Sequence, residues 1–383
     1  MSKSTAKKQP KKPVADNRMA WIRNLDALSK QAKRIAPYPV ECEFETECHI
    51  PGLLSYAEDR ILCGALSFEK SQEGLRRYLL RIEYPEGPAA YNFDAQEKGY
   101  YFKGGIAEEM LSLFSLFFQS RFYLRATYSG ALTKQGLKMR MEHRHRYEPV
   151  PTEIHPKVLG DRKDRNFATG LADFLDDVRK LDSKLHGRFM LACWHYARAL
   201  REIGVDSEML FIRLVSAIEI LSEDLNLPQD QNPLNGVAFD SVVRKGDMSA
   251  AQLKQLREIL GVTKDGQIQI QKSKKKFVSF VNKYSTGCLT GGNWKAGHLR
   301  IKRKDVPKYV GRIYDARSAY LHSGEPMYLS QFMRSPGHWD IDPSLGMIVD
   351  NKKFSDKKKL PYTYWFENLV RCCLLNYLKD QTA

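Results

Sequence analysis

A chain of 383 residues, 43% hydrophobic and 28% charged, holds enough apolar material for two or three cores, and that balance excludes global disorder. Its 61 Lys and Arg against 45 Asp and Glu leave a formal charge of +16, a field that attracts polyanions, with nucleic acid the commonest and mere solubility the competing reading. Seven Cys, an odd number that includes an adjacent pair, argue against a disulfide framework and for a reducing compartment.

The opening MSKSTAKKQPKKP is basic but lacks the apolar stretch of a secretory signal, and no later run approaches the roughly 18 apolar residues of a membrane span. A soluble, cytoplasmic protein is the expectation. Residues 1–18 read as a disordered basic tail, either a solubilising arm or a weak phosphate contact. Trp21, Leu25, Leu28, Ala32 and Ile35 recur at three and four, which predicts an amphipathic helix within 19–36.

A β-rich block follows over 37–150. In VECEFETEC (40–48), Val40, Cys42, Phe44, Thr46 and Cys48 alternate with four glutamates, the period of a half-buried strand. Arg60–Glu69, Tyr78–Tyr84 and Tyr100–Phe102 read as further strands, and 105–119 as a helix. Alternation at Phe122–Tyr128 and at Leu137–Met141 suggests a closing hairpin. The expected fold is an α+β N-terminal domain with a mostly antiparallel sheet, to which the family resemblance described below would assign a sensor or regulatory role. Pro149, Pro151 and Pro156 mark its exit into a linker and helix over 151–186.

Beyond about 165 the pattern becomes helical. Stripes run through Phe167–Leu185, Phe189–Ile203, Ser207–Leu225, Pro307–Leu321 and Pro361–Leu378, which predicts an all-α antiparallel bundle over 187–383. A polar insertion, 226–300, carries its own helix over Ala251–Leu260 and the basic run Lys272, Lys274, Lys275, Lys276.

The sharpest local feature is YDARSAYLHSGEP (314–326). The apolar stripe Val306, Val310, Ile313 continues through Arg317 to Tyr320, so a guanidinium occupies an inward position. That is costly unless it is paired or aimed at an anion. His322 follows five residues later, about 140° away around a helix, so one copy of the segment is a poor active site by itself. Glu219, on the flank of the helix stripe that includes Phe211 and Val215, is the natural partner for Arg317; a solvent-facing edge residue is the alternative. Equally, Arg317 could make a structural ion pair while His322 closes a helix C-terminus, where a cation is favoured.

This segment resembles the R-x4-6-H signature of the HEPN superfamily, and the helices over 187–383 look like its Apea-like branch. Arg317, Ser318 and His322 carry the resemblance, with FIRLVSAIEILSEDL (211–225) on an earlier helix. The long insertion and the short N-terminal block depart from the family pattern, which bears on regulation rather than on fold. The resemblance implies a metal-independent endoribonuclease in which two such segments face each other in a homodimer. There the substrate 2′-OH would attack the neighbouring phosphorus, His322 would move the proton, and Arg317 would clamp the phosphate, supported by Ser318 and Glu219. It also implies a role in prokaryotic antiviral defence by abortive infection, or toxin action, with a regulatory protein or phage trigger as further partner. The alternative is a non-catalytic HEPN module binding nucleic acid or protein within a defence complex.

No cofactor or metal is expected. Cys42, Cys48, His49 and Cys63 contain no C-x2-C pair, Cys42 and Cys48 read as strand core, and Cys372-Cys373 as helix core. STGCLTGGNWK (285–295) lacks the ending of a phosphate loop. His143–Arg146 reads as an exposed basic loop. RNA contacts outside the cleft fall to Lys272, Lys274, Lys275 and Lys276, and to Trp294, Lys295, Arg300, Lys302, Arg303 and Lys304, with solvated surface as the plain alternative.

Overall fold

The computed structural model describes residues 18–31, 36–70, 75–85, 105–129, 141–144, 167–223, 225, 237–243, 248–259, 262, 266, 273–288, 300–327, 340–341, 348–349, 352–353 and 359–383. The chain divides into two compact units, Met1–Arg201 with Leu378–Ala383, and Glu202–Tyr377.

In the first unit, α1 (Ala20–Lys30) precedes β1 (Tyr38–Thr46), β2 (Leu54–Tyr56), β3 (Ile61–Lys70) and β4 (Arg76–Tyr84). Then come α2 (Ile106–Phe118), β5 (Phe122–Ser129), β6 (Met141–Arg144), α3 (Phe167–Lys180) and α4 (Ser183–Arg201). The strands form one six-stranded sheet in the order β2-β3-β4-β1-β5-β6, and each described pairing is antiparallel.

Period two on β1 works as alternation requires. Val40, Cys42 and Phe44 are buried, with Cys42 opposite Leu80 on β4 and Thr127 on β5. Phe44 stacks on Tyr78 at 5.6 Å and meets Phe122 at 5.6 Å, while Phe114 and Phe118 of α2 lie 6.0 and 5.8 Å from Phe122. This aromatic cluster joins α2 to the sheet, each ring adding burial and edge or stacking contacts.

The glutamate face of β1 is not simply solvated. Glu45 is buried, accepting from Arg77 Nε at 3.1 Å and Arg125 Nε at 2.8 Å, both on neighbouring strands. Just beyond the strand, Glu47 takes Arg121 Nε at 2.8 Å and Nη2 at 2.6 Å, and Arg121 is only 1% exposed. Cross-strand charge pairing therefore holds this side of the sheet.

Several boundaries differ from expectation. Helix α1 stops at Lys30, where Gln31 turns extended, and 32–35 lie outside the described residues. Cys48 sits in a bend past the end of β1, so it is not part of the strand's regular face. The stripe Phe167–Leu185 breaks at Asp182, whose carboxylate accepts the Lys184 N–H at 2.8 Å, so Leu185 falls in the first turn of α4. The three-residue strand β2 was not anticipated. The tail 1–17, Tyr100–Phe102, and Leu137 and Met139 lie outside the described residues.

The second unit contains α5 (Ser207–Ser222), α6 (Phe239–Val242), α7 (Ala250–Ile259), α8 (Ser273–Tyr284), α9 (Val306–Ser323) and most of α10 (Thr363–Thr382). Asp206 starts α5 by accepting the Met209 N–H at 2.8 Å. Phe211 of α5 stacks on Phe366 of α10 at 5.3 Å. The unit is not wholly helical, because Ile348–Val349 and Lys352–Lys353 (β7 and β8) pair as a small antiparallel ribbon. Nor is the segment 226–300 wholly a polar insertion: α8 buries Phe277, Phe280, Val281 and Tyr284 against the neighbouring helices.

The reading of the cysteines also needs correction. Cys288 and Cys372, 84 residues apart, form a disulfide with Cα atoms 5.6 Å apart, while Cys373 is core. Packing of Phe280 and Tyr284 on Tyr377, at 5.6 and 5.4 Å, brings the two segments together, and Asn376 donates to the Tyr284 carbonyl at 2.8 Å. An odd cysteine count is silent about a single bridge, so it no longer argues for a reducing compartment. Among the described residues no helix is long and apolar enough to cross a membrane.

One tertiary contact replaces a missing cap. No side chain of its own closes the start of α1, and Glu109 of α2 accepts the Ala20 and Trp21 N–H groups at 3.0 and 2.9 Å. Burial pushes the Glu109 carboxyl from its ordinary value of 4.5 up to about 7, with the two N–H groups acting in the opposite direction. The folded state therefore binds this proton more tightly than the unfolded chain. Its stabilisation is complete below the ordinary value and fades as pH rises towards 7. Glu109→Gln should remove that slope, so that urea midpoints of wild type decline relative to the variant between about pH 5 and 7.5, by on the order of 3 kcal/mol at full shift. Parallel pH profiles would refute this assignment. In the second unit, a Cβ on Gly311 would lie 3.5 Å from Lys274 Cε, an ordinary contact. Gly311→Ala should then raise the urea stability by about 0.5–1 kcal/mol through helix propensity.

Candidate active site

Three helices of the second unit, α5, α8 and α9, converge around Arg317. The side chain lies on the packed flank of α9, 19% exposed, following Val310 and Ile313, which are fully buried. Its Nη2 donates to Glu219 Oε2 of α5 at 2.9 Å, and Glu219 is itself 23% exposed. The Arg317 Nε is buried without an acceptor among the described residues, so the ion pair leaves part of the guanidinium's donor capacity unused there.

Tyr314, one turn earlier, has its ring centroid 5.9 Å from the Arg317 Cζ and 5.3 Å from Phe277 of α8. Burial raises the Tyr314 hydroxyl pKa, and the Glu219 carboxylate adds to the rise, so the phenol stays protonated beside the ion pair.

Helix α9 remains regular through His322 and Ser323. It ends at Gly324, which takes a left-handed φ of 65° and donates its N–H to the Tyr320 carbonyl at 3.1 Å. Only a residue tolerant of positive φ closes the turn this way, and glycine does so without a Cβ penalty. Because the last turn does not unwind, Arg317 and His322 keep the angular separation of five helical residues, about 140°. Arg317 faces Glu219, and His322 is exposed. Ser318 is half-buried beside Arg317 in sequence. After the cap, Met327 returns to the start of α5, its N–H donating to Glu208 at 2.7 Å.

The basic residues behave differently from a free charged strip. Lys272, Trp294 and Lys295 lie outside the described residues. Lys274, Lys275 and Lys276 form the first turn of α8; Lys274 bridges to Asp315 of α9 at 2.6 Å and Lys276 donates to the Glu223 carbonyl. Arg303 donates to Thr286 Oγ1 at 2.9 Å in a short 3-10 turn over Arg303–Asp305, where Lys302 and Lys304 are exposed and Arg300 is half-buried. Of the loop read at His143–Arg146, His143 and Arg144 belong to β6, while His145 and Arg146 lie outside the described residues. Among the described residues, no group of three or more His, Cys, Asp or Glu is placed to hold a metal ion.

The tyrosine at 314 and the lysine bridge at 274 were missed by sequence reasoning. Tyr314 is visible in hindsight as the residue one turn before Arg317, on the same stripe flank. The bridge has no sequence signal, because it depends on how α8 crosses α9.

Glu219→Ala would strand a largely buried guanidinium, and should lower unfolding stability by about 1–3 kcal/mol in urea titration, with Glu219→Gln closer to wild type because it keeps an acceptor. Unchanged midpoints for both would show that the pair contributes nothing to the fold.

No family model, curated protein or solved structure matches this chain.

Proposed function

We propose that this chain is a metal-independent endoribonuclease of the HEPN type, acting as a homodimer in prokaryotic antiviral defence or as a toxin. The observation that carries the reading is a guanidinium held by Glu219, largely out of solvent, five residues before an exposed imidazole at a capped helix end. The segment around them, from Tyr314 to Pro326, is the one that resembles the R-x4-6-H signature.

The chemistry follows from the side chains. A guanidinium oriented by a carboxylate loses little freedom on binding a phosphate and offsets the charge that develops on a phosphorane-like transition state. An imidazole can take the proton of a ribose 2′-OH and return one to the leaving 5′-oxygen. The bond from 2′-oxygen to phosphorus forms as the bond to the 5′-oxygen breaks, leaving a 2′,3′-cyclic phosphate and a 5′-OH. Because Arg317 and His322 point apart on one helix, a second copy of the segment supplies the complementary group across the cleft. The +16 charge favours encounter with RNA.

A second reading draws on the same ion pair. With Arg317 already paired to Glu219, the segment could be a structural element of a non-catalytic HEPN module.

Incubation with labelled RNA in EDTA separates the two. Cleavage should persist in the chelator, yield 2′,3′-cyclic phosphate ends, spare DNA, and fall about 10²–10⁴-fold in Arg317→Ala and in His322→Ala. Mixing the two variants should restore part of the activity if the cleft is shared between copies. Cutting at the wild-type rate by both variants sinks the assignment, and binding without any cleavage by the wild type favours the non-catalytic module.

A further inference from the structure

The first unit contains a second place where arginines converge, and the ribonuclease reading makes no use of it. Between α2, β5 and α4 lies a cavity of about 210 Å³. Arg125 enters from β5, and Arg198 and Arg201, one turn apart, enter from α4; the carboxylate lining the same cavity belongs to Glu108. Among the described residues the lining carries three guanidinium groups and one carboxylate, with Glu45 paired to Arg125 from outside it, an excess of positive charge in a concavity, where attraction for an anion is greater than at open surface.

The arginines are also pre-positioned. Arg125 donates to Glu45 at 2.8 Å and lies 5.2 Å from the centroid of the Tyr123 ring. Arg201 donates to the Phe122 carbonyl and sits 5.1 Å from the same ring. Arg198 lies 5.6 Å from the ring of Trp194, which is half-buried on the cavity wall. Planar forks fixed in this manner match phosphate oxygens and lose little entropy on binding them. The indole offers a flat apolar surface of the type on which nucleobases stack.

From this juxtaposition we infer that the first unit binds a nucleoside monophosphate, its phosphate held by Arg198 and Arg201 and its base against Trp194. The volume of about 210 Å³, below the roughly 300–1,000 Å³ of drug-sized pockets, encloses part of one nucleotide rather than a stretch of polymer. The inference does not rest on the ribonuclease reading. A 5′-mononucleotide has no 3′-linked phosphate for its 2′-OH to attack, so binding and cleavage can be scored apart.

Calorimetric titration of the full chain with AMP, GMP, CMP and UMP in turn, beside adenosine and inorganic phosphate, tests it. At least one mononucleotide should bind with a Kd at or below about 1 mM, and at least about tenfold more tightly than either fragment. Arg198→Gln and Arg198→Lys should both weaken that binding by about tenfold or more, the lysine failing because a point charge does not reproduce the fork. Trp194→Leu should weaken the nucleotide but not phosphate, and Lys184→Gln, an equal loss of charge on the exposed first turn of α4, should change nothing. Arg317→Ala and His322→Ala should leave binding intact. The absence of heat with all four nucleotides overturns the site, as does equal weakening by Lys184→Gln, or wild-type affinity in the folded Arg198→Lys protein. Phosphate or adenosine binding as tightly as the nucleotide overturns the ligand class.

Discussion

A guanidinium taken out of water needs a carboxylate fixed on another element, and that requirement organises both units. On the sheet, Glu45 holds Arg125, and Glu47 closes on Arg121, which is almost fully enclosed. In the helical unit Glu219 plays the same part for Arg317. Leaving such a cation unmatched would cost several kcal/mol, so the elements bearing the two partners are constrained to their observed register. Burial of Phe44, Phe114 and Phe122 supplies the main driving force in the first unit, but apolar burial is indifferent to small slips. The charge pairs are not, since moving a strand by one residue would turn each glutamate to the opposite face.

Within that frame the two arginine-rich places differ in ways that matter for chemistry. Arg317 presents one guanidinium, anchored by one carboxylate, on the same helix as an exposed imidazole. That combination suits a step in which charge develops on phosphorus while a proton moves. Among the described residues the cavity lined by Arg125, Arg198 and Arg201 has no imidazole, and its aromatic walls suit recognition of a ring. Binding without chemistry is what its residue types support.

The C-terminal turn of α9 deserves weight for the same reason. If the helix had unwound near Tyr320, Arg317 and His322 could have met within one chain. Gly324 instead closes the helix cleanly after Ser323. The divergence of the two groups is thus a consequence of a helix that stays regular up to an ordinary glycine cap.

Local periodicity by itself determined much of the architecture. The alternation of Val40, Cys42 and Phe44 with glutamates specifies a strand with one buried face, and the stripe through Val310 and Ile313 puts Arg317 on the packed side of its helix. The stripe beginning at Ser207 places the start of α5, where Asp206 caps it. Only the tertiary structure decided which distant partners meet. Glu109 caps α1 across 88 and 89 residues, Lys274 reaches Asp315 across 41, and Cys288 finds Cys372 across 84. The placement of α8 belongs to the same class: its residues read as part of a polar insertion, and only the neighbouring helices supply the surface against which Phe277, Phe280, Val281 and Tyr284 are buried. Periodicity acts over one or two turns of the chain, whereas these pairings depend on how whole elements cross, and that is set by the packing of many side chains at once.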